Sequence, residues 1–121
     1  MTAGALPALF RGAGETRAFA PGETIFVEGE EGRQMFVVLE GSVRLSVTGR
    51  TLEKVGKGGV FGEMALIDAA PRSATATALT ACTLAPVAAD RFRSLVRESP
   101  EFALEIMQVM ATRLRSMSRR L

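Results

Sequence analysis

Between residues 16 and 87, short β-prone segments alternate with glycine-containing turns, and this pattern leaves few folds open to the chain. The turns read PGE at 21–23, EGEEG at 28–32, EGS at 40–42, TGR at 48–50 and GKGG at 56–59. Gly, Pro and small polar residues supply the backbone conformations that reverse a chain. The segments between them predict strands at 24–27, 35–39, 43–47, 51–55, 60–61, 73–78 and 83–87. Many short strands at this spacing indicate a β-barrel or a jelly roll.

Two of these segments differ in how we expect them to be covered. Val43, Leu45 and Val47 alternate with polar side chains, which is typical of a strand with one buried face. The segment MFVVL at 35–39 is apolar throughout, and we therefore expect it to be covered on both faces.

After residue 87 the hydrophobic period changes from that of a strand to that of a helix. Residues 90–97 predict a short helix with Phe92, Leu95 and Val96 on one side. The sequence Ser-Pro-Glu at 99–101 predicts the start of a second helix, because Ser caps helices, Pro suits the first position and an acidic residue suits the first turn. We expect this second helix to continue to the end of the chain.

The second helix carries two apolar lines. The first line is Phe102, Ile106, Val109 and Arg113, and the second is Ala103, Met107, Met110, Leu114, Met117 and Leu121, spaced 4-3-4-3-4. We expect the first line to face the barrel. The second line fits either a partner helix or one broad stripe buried within the same chain, and the sequence leaves both alternatives open.

Length and composition exclude several classes of protein. The chain has 121 residues, which is enough for one domain with a core but not for two. It has no His, so imidazole catalysis and His-ligated haem or zinc are excluded. A single Cys excludes an internal disulfide and a four-thiolate iron–sulfur cluster. That residue, Cys82, is predicted to be an inert member of the core.

The charge is unevenly placed along the chain. Residues 1–90 carry eight basic and ten acidic side chains, a net of −2, and residues 91–121 carry seven and three, a net of +4. We interpret the basic tail as a solvated helix face, which argues against a nucleic-acid partner. No apolar run approaches the length of a membrane span, and residues 1–10 do not read as a signal peptide. The prediction is a cytoplasmic protein.

The segment 61–75, FGEMALIDAAPRSAT, is the most informative for function. A helix that begins at Gly62, directly after a strand, would direct unpaired backbone N–H groups toward an anion. The Arg72 guanidinium can bind two phosphate oxygens at once. The Glu63 carboxylate can accept a hydrogen bond from a hydroxyl group. A ligand for these groups would carry both a phosphate and a hydroxyl group, as a ribose phosphate does. The alternative is that Glu63 and Arg72 form only an ion pair that braces a surface loop.

This segment resembles the phosphate-binding cassette of the cyclic nucleotide-binding domain family. The resemblance extends over about residues 17–121 and rests on four stretches in the order and spacing of that family. They are FAPGETIFVEGEEG at 19–32, MFVVLEGSVRL at 35–45, VGKGGVFGEMALI at 55–67 and PRSATATA at 71–78. The family includes the sensor domains of catabolite activator proteins, of cAMP-dependent kinase regulatory subunits and of nucleotide-gated channels.

The resemblance implies a mainly β fold with flanking helices. We expect a single domain over 1–121, with an eight-stranded jelly roll at about 16–88, the cassette at 61–75 and C-terminal lid or dimer helices at about 89–121.

The resemblance also implies roles for individual residues. Glu63 would bind the ribose 2′-hydroxyl and Arg72 an exocyclic phosphate oxygen. The backbone amides that would complete the phosphate cradle belong to Gly62, Ala65 and Ser73, and the apolar contacts would come from Val60, Phe61 and Met64. Arg113 is the candidate lid over the purine, since it is the polar end of the line that we assign to the barrel.

The implied function is non-catalytic binding of a 3′,5′-cyclic nucleotide. The PRSA sequence at 71–74 resembles that of bacterial cAMP binders and favours cAMP, although a hydroxyl at Ser73 accompanies cGMP preference in kinase-type members. The carboxylates of Glu63 and Asp68 are five residues apart with no His nearby, which argues against a hydrolase. One alternative is an interaction module that has lost its ligand, and another is the sensor part of a DNA-binding regulator. A homodimer or a partner protein could bind the C-terminal helix.

Overall fold

The described part of the chain, residues 14–119 with side chains up to Ser116, forms eight strands and three helices in a computed structural model. The strands are β1 Arg17–Phe19, β2 Thr24–Phe26, β3 Gln34–Glu40, β4 Val43–Val47, β5 Arg50–Val55, β6 Val60–Phe61, β7 Thr75–Ala78 and β8 Cys82–Ala88. The helices are α1 Met64–Ile67, α2 Ala89–Glu98 and α3 Pro100–Arg119. No helix among residues 14–119 is both long and apolar enough to cross a membrane.

The strands form two four-stranded antiparallel sheets, in the orders β1-β8-β3-β6 and β2-β7-β4-β5. This arrangement confirms the predicted jelly roll. The sequence pattern did not predict β1, which has three residues and is defined by its pairing with β8. Strand β7 begins at Thr75, two residues later than predicted.

Aromatic packing holds the two sheets together. The rings of Phe26, Phe36 and Phe61 meet with centroids 5.4–6.2 Å apart. Cys82 is buried in the same cluster, which confirms its place in the core. Burial raises the pKa of its thiol, and the nearby Glu23 adds to the effect, so the thiol stays protonated and poorly nucleophilic at neutral pH.

The other face of β3 packs against the C-terminal helices. Met35 and Val37 are fully buried against Leu95 of α2 and against Phe102 and Ile106 of α3. Since Phe36 and Val38 face the inter-sheet core, β3 is covered on both faces, as its apolar sequence predicts. The prediction for Val96 is wrong. Its side chain is exposed, because the buried side of α2 is centred on Leu95.

Helix α3 places its first apolar line on the barrel. Phe102 and Ile106 are buried, Val109 packs on the same cluster, and Arg113 continues inward. The second line is divided, since Met110 packs on the barrel whereas Met107 and Leu114 are 60% and 55% exposed. The expected side-chain positions of Met117 and Leu121 lie outside the described side chains, as does the stretch 1–10.

Candidate ligand-binding site

A cavity opens between the β2-β7-β4-β5 sheet, the α1 segment and the inner face of α3. Seven predicted site residues line it, namely Gly62, Glu63, Met64, Ala65, Arg72, Ser73 and Arg113. The side chains of Val60 and Phe61 lie behind the cavity instead. Both are buried in the core, where they support the turn that leads into α1.

The turn at Gly62 brings strand β6 to the edge of the cavity. Gly62 has a φ of +84°, which lies in the left-handed region that an L side chain rarely adopts. A Cβ at this position would also lie 2.8 Å from Arg72 Nη1. Glycine is therefore required here for two reasons, the backbone conformation and the close approach of the guanidinium.

The Arg72 guanidinium is fixed by the backbone around it. Nη1 donates to the carbonyl of Gly62 at 3.0 Å and Nη2 donates to the carbonyl of Gln34 at 2.7 Å. The group lies over the ring of Phe26, 3.9 Å from its centroid. The main chain of Arg72 is also paired with the β2–β3 loop, through the carbonyl of Glu30 and the amide of Gly29.

One donor of this buried guanidinium is left over. Nε of Arg72 has no hydrogen-bond partner among the described residues, although it is shielded from solvent. Burial lowers the pKa of Arg72, and the carboxylates of Glu30 and Glu63 partly offset this effect. Arginine nevertheless remains charged in proteins. The site therefore holds a fixed positive charge with one unsatisfied donor, and leaving a buried donor unsatisfied is costly.

Gly32 lets the Arg72 guanidinium lie close to the backbone of the β2–β3 loop. A Cβ there would lie 2.5 Å from Arg72 Nε, 2.6 Å from its Cζ and 2.9 Å from the Cβ of Ala65. The sequence reasoning assigned Gly32 only to a turn. It also missed Gln34 and Phe26, because the signal for all three is contact with Arg72 and not a local pattern.

Glu63 is the other buried charge of the cavity. Its side chain is 2% exposed, and its Oε1 accepts a hydrogen bond of 2.8 Å from Arg113 Nη1. The ion pair is thus made with Arg113 of α3 and not with Arg72, whose donors go to carbonyls. This arrangement replaces the alternative in which Glu63 and Arg72 merely brace a loop. The contact with Arg113 uses Oε1 of Glu63.

Arg113 links α3 to two carboxylates of the barrel. In addition to Glu63 it contacts Glu53, with Nε–Oε1 at 2.7 Å and Nη2–Oε2 at 3.3 Å, and it donates to the carbonyl of Val60. Burial disfavours its charged form, but Glu63 and Glu53 outweigh that cost and raise its pKa above the ordinary value. The Arg113 side chain is only 17% exposed.

The rest of the cavity wall is apolar. Leu45, Leu52 and Met110 line it, together with the exposed Leu114. Sequence reasoning missed Leu45, Leu52 and Glu53 as cavity residues, because β4 and β5 carry no motif of their own. The site therefore combines a donor set for an anion, an acceptor for a hydroxyl and an apolar wall for a flat group.

Comparisons with known proteins show which family the chain resembles. Residues 16–99, more than half of the chain, match the model of a family described as "Cyclic nucleotide-binding domain". A "CRP-like cAMP-activated global transcriptional regulator" of Mycobacterium tuberculosis is 32% identical over 102 residues, which cover 80% of this chain and 46% of the regulator. The chain spans half or less of the length of the curated relatives that it matches.

Two solved structures give the same picture. The crystal structure of the Thermus thermophilus catabolite activator protein superposes with a TM-score of 0.78 at 33% identity, covering 88% of this chain and 52% of that one. A structure described as "A cyclic-GMP-dependent signalling pathway regulates bacterial phytopathogenesis" superposes with a TM-score of 0.77 at 32% identity, covering 94% of both chains.

Proposed function

This chain belongs to the cyclic nucleotide-binding domain family, and from that premise we propose that it is a non-catalytic, cytoplasmic sensor that binds cAMP in preference to cGMP. The single observation that carries the proposal is the orphaned donor of Arg72. A buried guanidinium that is held by two carbonyls at the cavity wall and has no partner at Nε among the described residues fits the phosphate of a cyclic nucleotide.

The proposed pose divides the ligand among three parts of the cavity. The exocyclic phosphate oxygens meet Arg72 and the backbone amides of Gly62, Ala65 and Ser73. The ribose 2′-hydroxyl donates to Glu63, whose Oε1 also holds Arg113. The purine lies against Met64 and the apolar wall formed by Leu45, Leu52 and Met110.

Helix α3 is the moving part in this proposal. Arg113 places α3 against the same carboxylate that serves the ribose, so ligand and helix share one group. A ligand that makes more contacts when α3 is docked shifts the population toward the docked state by that difference in affinity. A DNA-binding role would depend on exposed basic residues in the C-terminal tail. Arg113 is not one of them, because its side chain points into the cavity.

The first test is a calorimetric titration of the chain with cAMP, cGMP and 5′-AMP. We expect cAMP to bind with a dissociation constant in the micromolar range, about −8 kcal/mol, with weaker binding of cGMP. We expect no binding of 5′-AMP, because its phosphate is not closed onto the 3′-oxygen and is therefore not held where Arg72 and Glu63 can be reached together. Preference for cGMP would reject the assignment based on Ser73. Failure of both cyclic nucleotides to bind would reject the sensor and favour an interaction module that keeps the barrel.

The outward face of α3 supports a proposal about the partner. Leu104, Met107 and Leu114 are exposed and, with Ala111, follow the 3-4-3 spacing of a coiled-coil seam, and Leu114 also borders the cavity. The seam contains no charge, and such a stripe is self-complementary about a two-fold axis. We therefore propose that the partner of this face is a second copy of the chain.

Light scattering after size exclusion tests the second-copy proposal. We expect the parent to elute with about twice the chain mass of 12.9 kDa and the Met107→Lys variant to elute as a monomer, because a buried lysine at the seam is costly. Thr112→Lys, an exposed position on another side of α3, is the matched control and is expected to leave the dimer intact. A monomeric parent at high concentration would refute the second copy as the partner.

A further inference from the structure

A carboxylate of β5 faces the cavity although the sequence pattern does not single it out. Strand β5 pairs with β4 at Val43↔Val55 and Leu45↔Glu53, whereas the next pair is Ser46↔Thr51, so that one extra residue, Leu52, is inserted in β5. Residues two apart in a regular strand point to the same face of the sheet, and Glu53 therefore faces the same side as the buried Val55. The bulge re-aims the inserted residue, so that Leu52 lines the cavity beside Glu53.

The Glu53 carboxylate binds α3 through Arg113. Glu53 Oε1 and Oε2 accept from Nε and Nη2 of Arg113 in a two-pronged contact, at 2.7 and 3.3 Å, whereas Glu63 accepts through one oxygen. Paired contacts between guanidinium and carboxylate fix orientation as well as distance. Glu53 is 60 residues away from Arg113 in sequence, so this contact is a tie between the barrel and the last helix.

Glu53 differs from Glu63 in what a ligand would do to it. On the proposed function, Glu63 is shared between the ribose and Arg113, whereas Glu53 has no assigned contact with phosphate or ribose. Its carboxylate is therefore free to hold Arg113 whether or not a nucleotide is bound. The Glu53 side chain is 38% exposed at the rim of the cavity, where α3 closes the site.

We propose that Glu53 is the positioning residue of the lid: it holds Arg113, and through it α3, over the cavity, and thereby sets how long a bound nucleotide stays. This inference rests on the proposed function for the nucleotide, but the tie to α3 exists without it. A docked lid slows escape, and entry also happens only from states in which the lid has opened. We therefore expect loss of the tie to raise the dissociation rate and not to lower the association rate.

The test compares the parent with Glu53→Gln by surface plasmon resonance, using cAMP over the immobilised chain. Glutamine keeps the shape of the side chain but removes the charge that Arg113 binds. We expect the dissociation rate to rise roughly 10-fold, the order expected for weakening one charge-assisted hydrogen bond, while the association rate stays the same or rises. Glu40→Gln, which disrupts the exposed Glu40–Lys57 pair, is the matched control and is expected to change neither rate.

A double variant distinguishes whether Glu53 acts by positioning Arg113 or by contacting the ligand directly. If Glu53 acts through Arg113, then adding Glu53→Gln to an Arg113→Gln chain produces no further increase in the dissociation rate. Additive effects of the two changes, or a change in the ratio of cAMP to cGMP affinity caused by Glu53→Gln in the Arg113→Gln chain, would instead mean that Glu53 contacts the ligand. Either result overturns the proposal.

Hydrogen exchange of the ligand-free chain provides a readout that does not depend on nucleotide binding. We expect Glu53→Gln to speed amide exchange in α3 around Arg113 by several-fold and to leave β3 unchanged, because local opening of a docked helix controls its exchange. Unchanged exchange in α3 would overturn the tie itself. If the parent fails to bind cAMP but shows this change in exchange, the proposed function fails and the tie stands.

Discussion

Replacing Arg72 with Ala is expected to weaken cAMP binding more than any other single change in the cavity. Truncating one partner of a buried, hydrogen-bonded charge pair costs about 2–5 kcal/mol, which corresponds to roughly 30- to 5,000-fold in the dissociation constant. The physical reason is that Arg72 is the charge whose Nε lacks a partner in the described structure. Isothermal titration of parent and variant with cAMP measures the loss.

Two further variants make this result interpretable. Arg72→Lys keeps a positive charge but cannot hold two carbonyls and a phosphate oxygen with one planar group, so we expect an intermediate loss. Arg33→Ala, an exposed arginine on the β2–β3 loop, is expected to bind like the parent. Because Arg72 also fastens the carbonyls of Gly62 and Gln34, thermal unfolding should accompany each titration. A folded Arg72→Ala chain with parental affinity would show that the phosphate does not bind there.

Replacing Glu63 with Ala is expected to abolish discrimination between cAMP and 2′-deoxy-cAMP. A hydrogen bond to a charged group is worth about 1.5–3 kcal/mol, so the parent should prefer the ribose form by roughly 10- to 150-fold. In the variant the two ligands should bind within about twofold of each other, because the acceptor of the 2′-hydroxyl is gone. Parallel titrations with both ligands measure the ratio.

The ratio of the two affinities is more informative than either affinity alone. Glu63→Ala also removes one partner of Arg113, which weakens the docking of α3 and lowers the affinity for both ligands. Only the loss of discrimination belongs to the 2′-hydroxyl. Glu31→Ala, an exposed carboxylate paired with Arg33, is the control and should keep the parental ratio. A Glu63→Ala chain that still prefers cAMP by the parental factor would place the ribose elsewhere.

Most of the barrel follows from local sequence signals. The turn glycines and the alternation in 43–47 predict strands that the structure confirms. Strand β1 escapes prediction because its three residues carry no alternation of their own and owe their extended form to pairing with β8. Val96 was misplaced for a related reason, since neighbouring positions on a short helix differ in burial only once the helix has packed.

Most of the predicted residues that line the cavity lie in one continuous segment, and Arg113, which was predicted from the helical spacing of α3, is the exception. Segment 61–75 predicts Glu63 and Arg72 as site residues, because their spacing and their residue types both fit the binding of a ribose phosphate. Glu53 could not be found in this way, because its role depends on a contact with Arg113, 60 residues away in sequence, that no local pattern connects. Gly32 was likewise predicted only as a turn residue. Its importance is that it has no Cβ, because a Cβ there would lie too close to Arg72.

Helix α3 connects the cavity with the exposed surface of the domain. The same helix carries Arg113, which binds the barrel, and the exposed seam of Leu104, Met107 and Leu114. A partner that binds the outer face in the docked position favours the same docked state of α3 as a nucleotide on the inner face. Thermodynamic linkage then requires reciprocity: the factor by which cAMP strengthens that partnership equals the factor by which the partner strengthens the binding of cAMP. The receptor affinity of such a domain is a property of its assembly state, and a value measured on dilute protein differs from one measured on the assembled form.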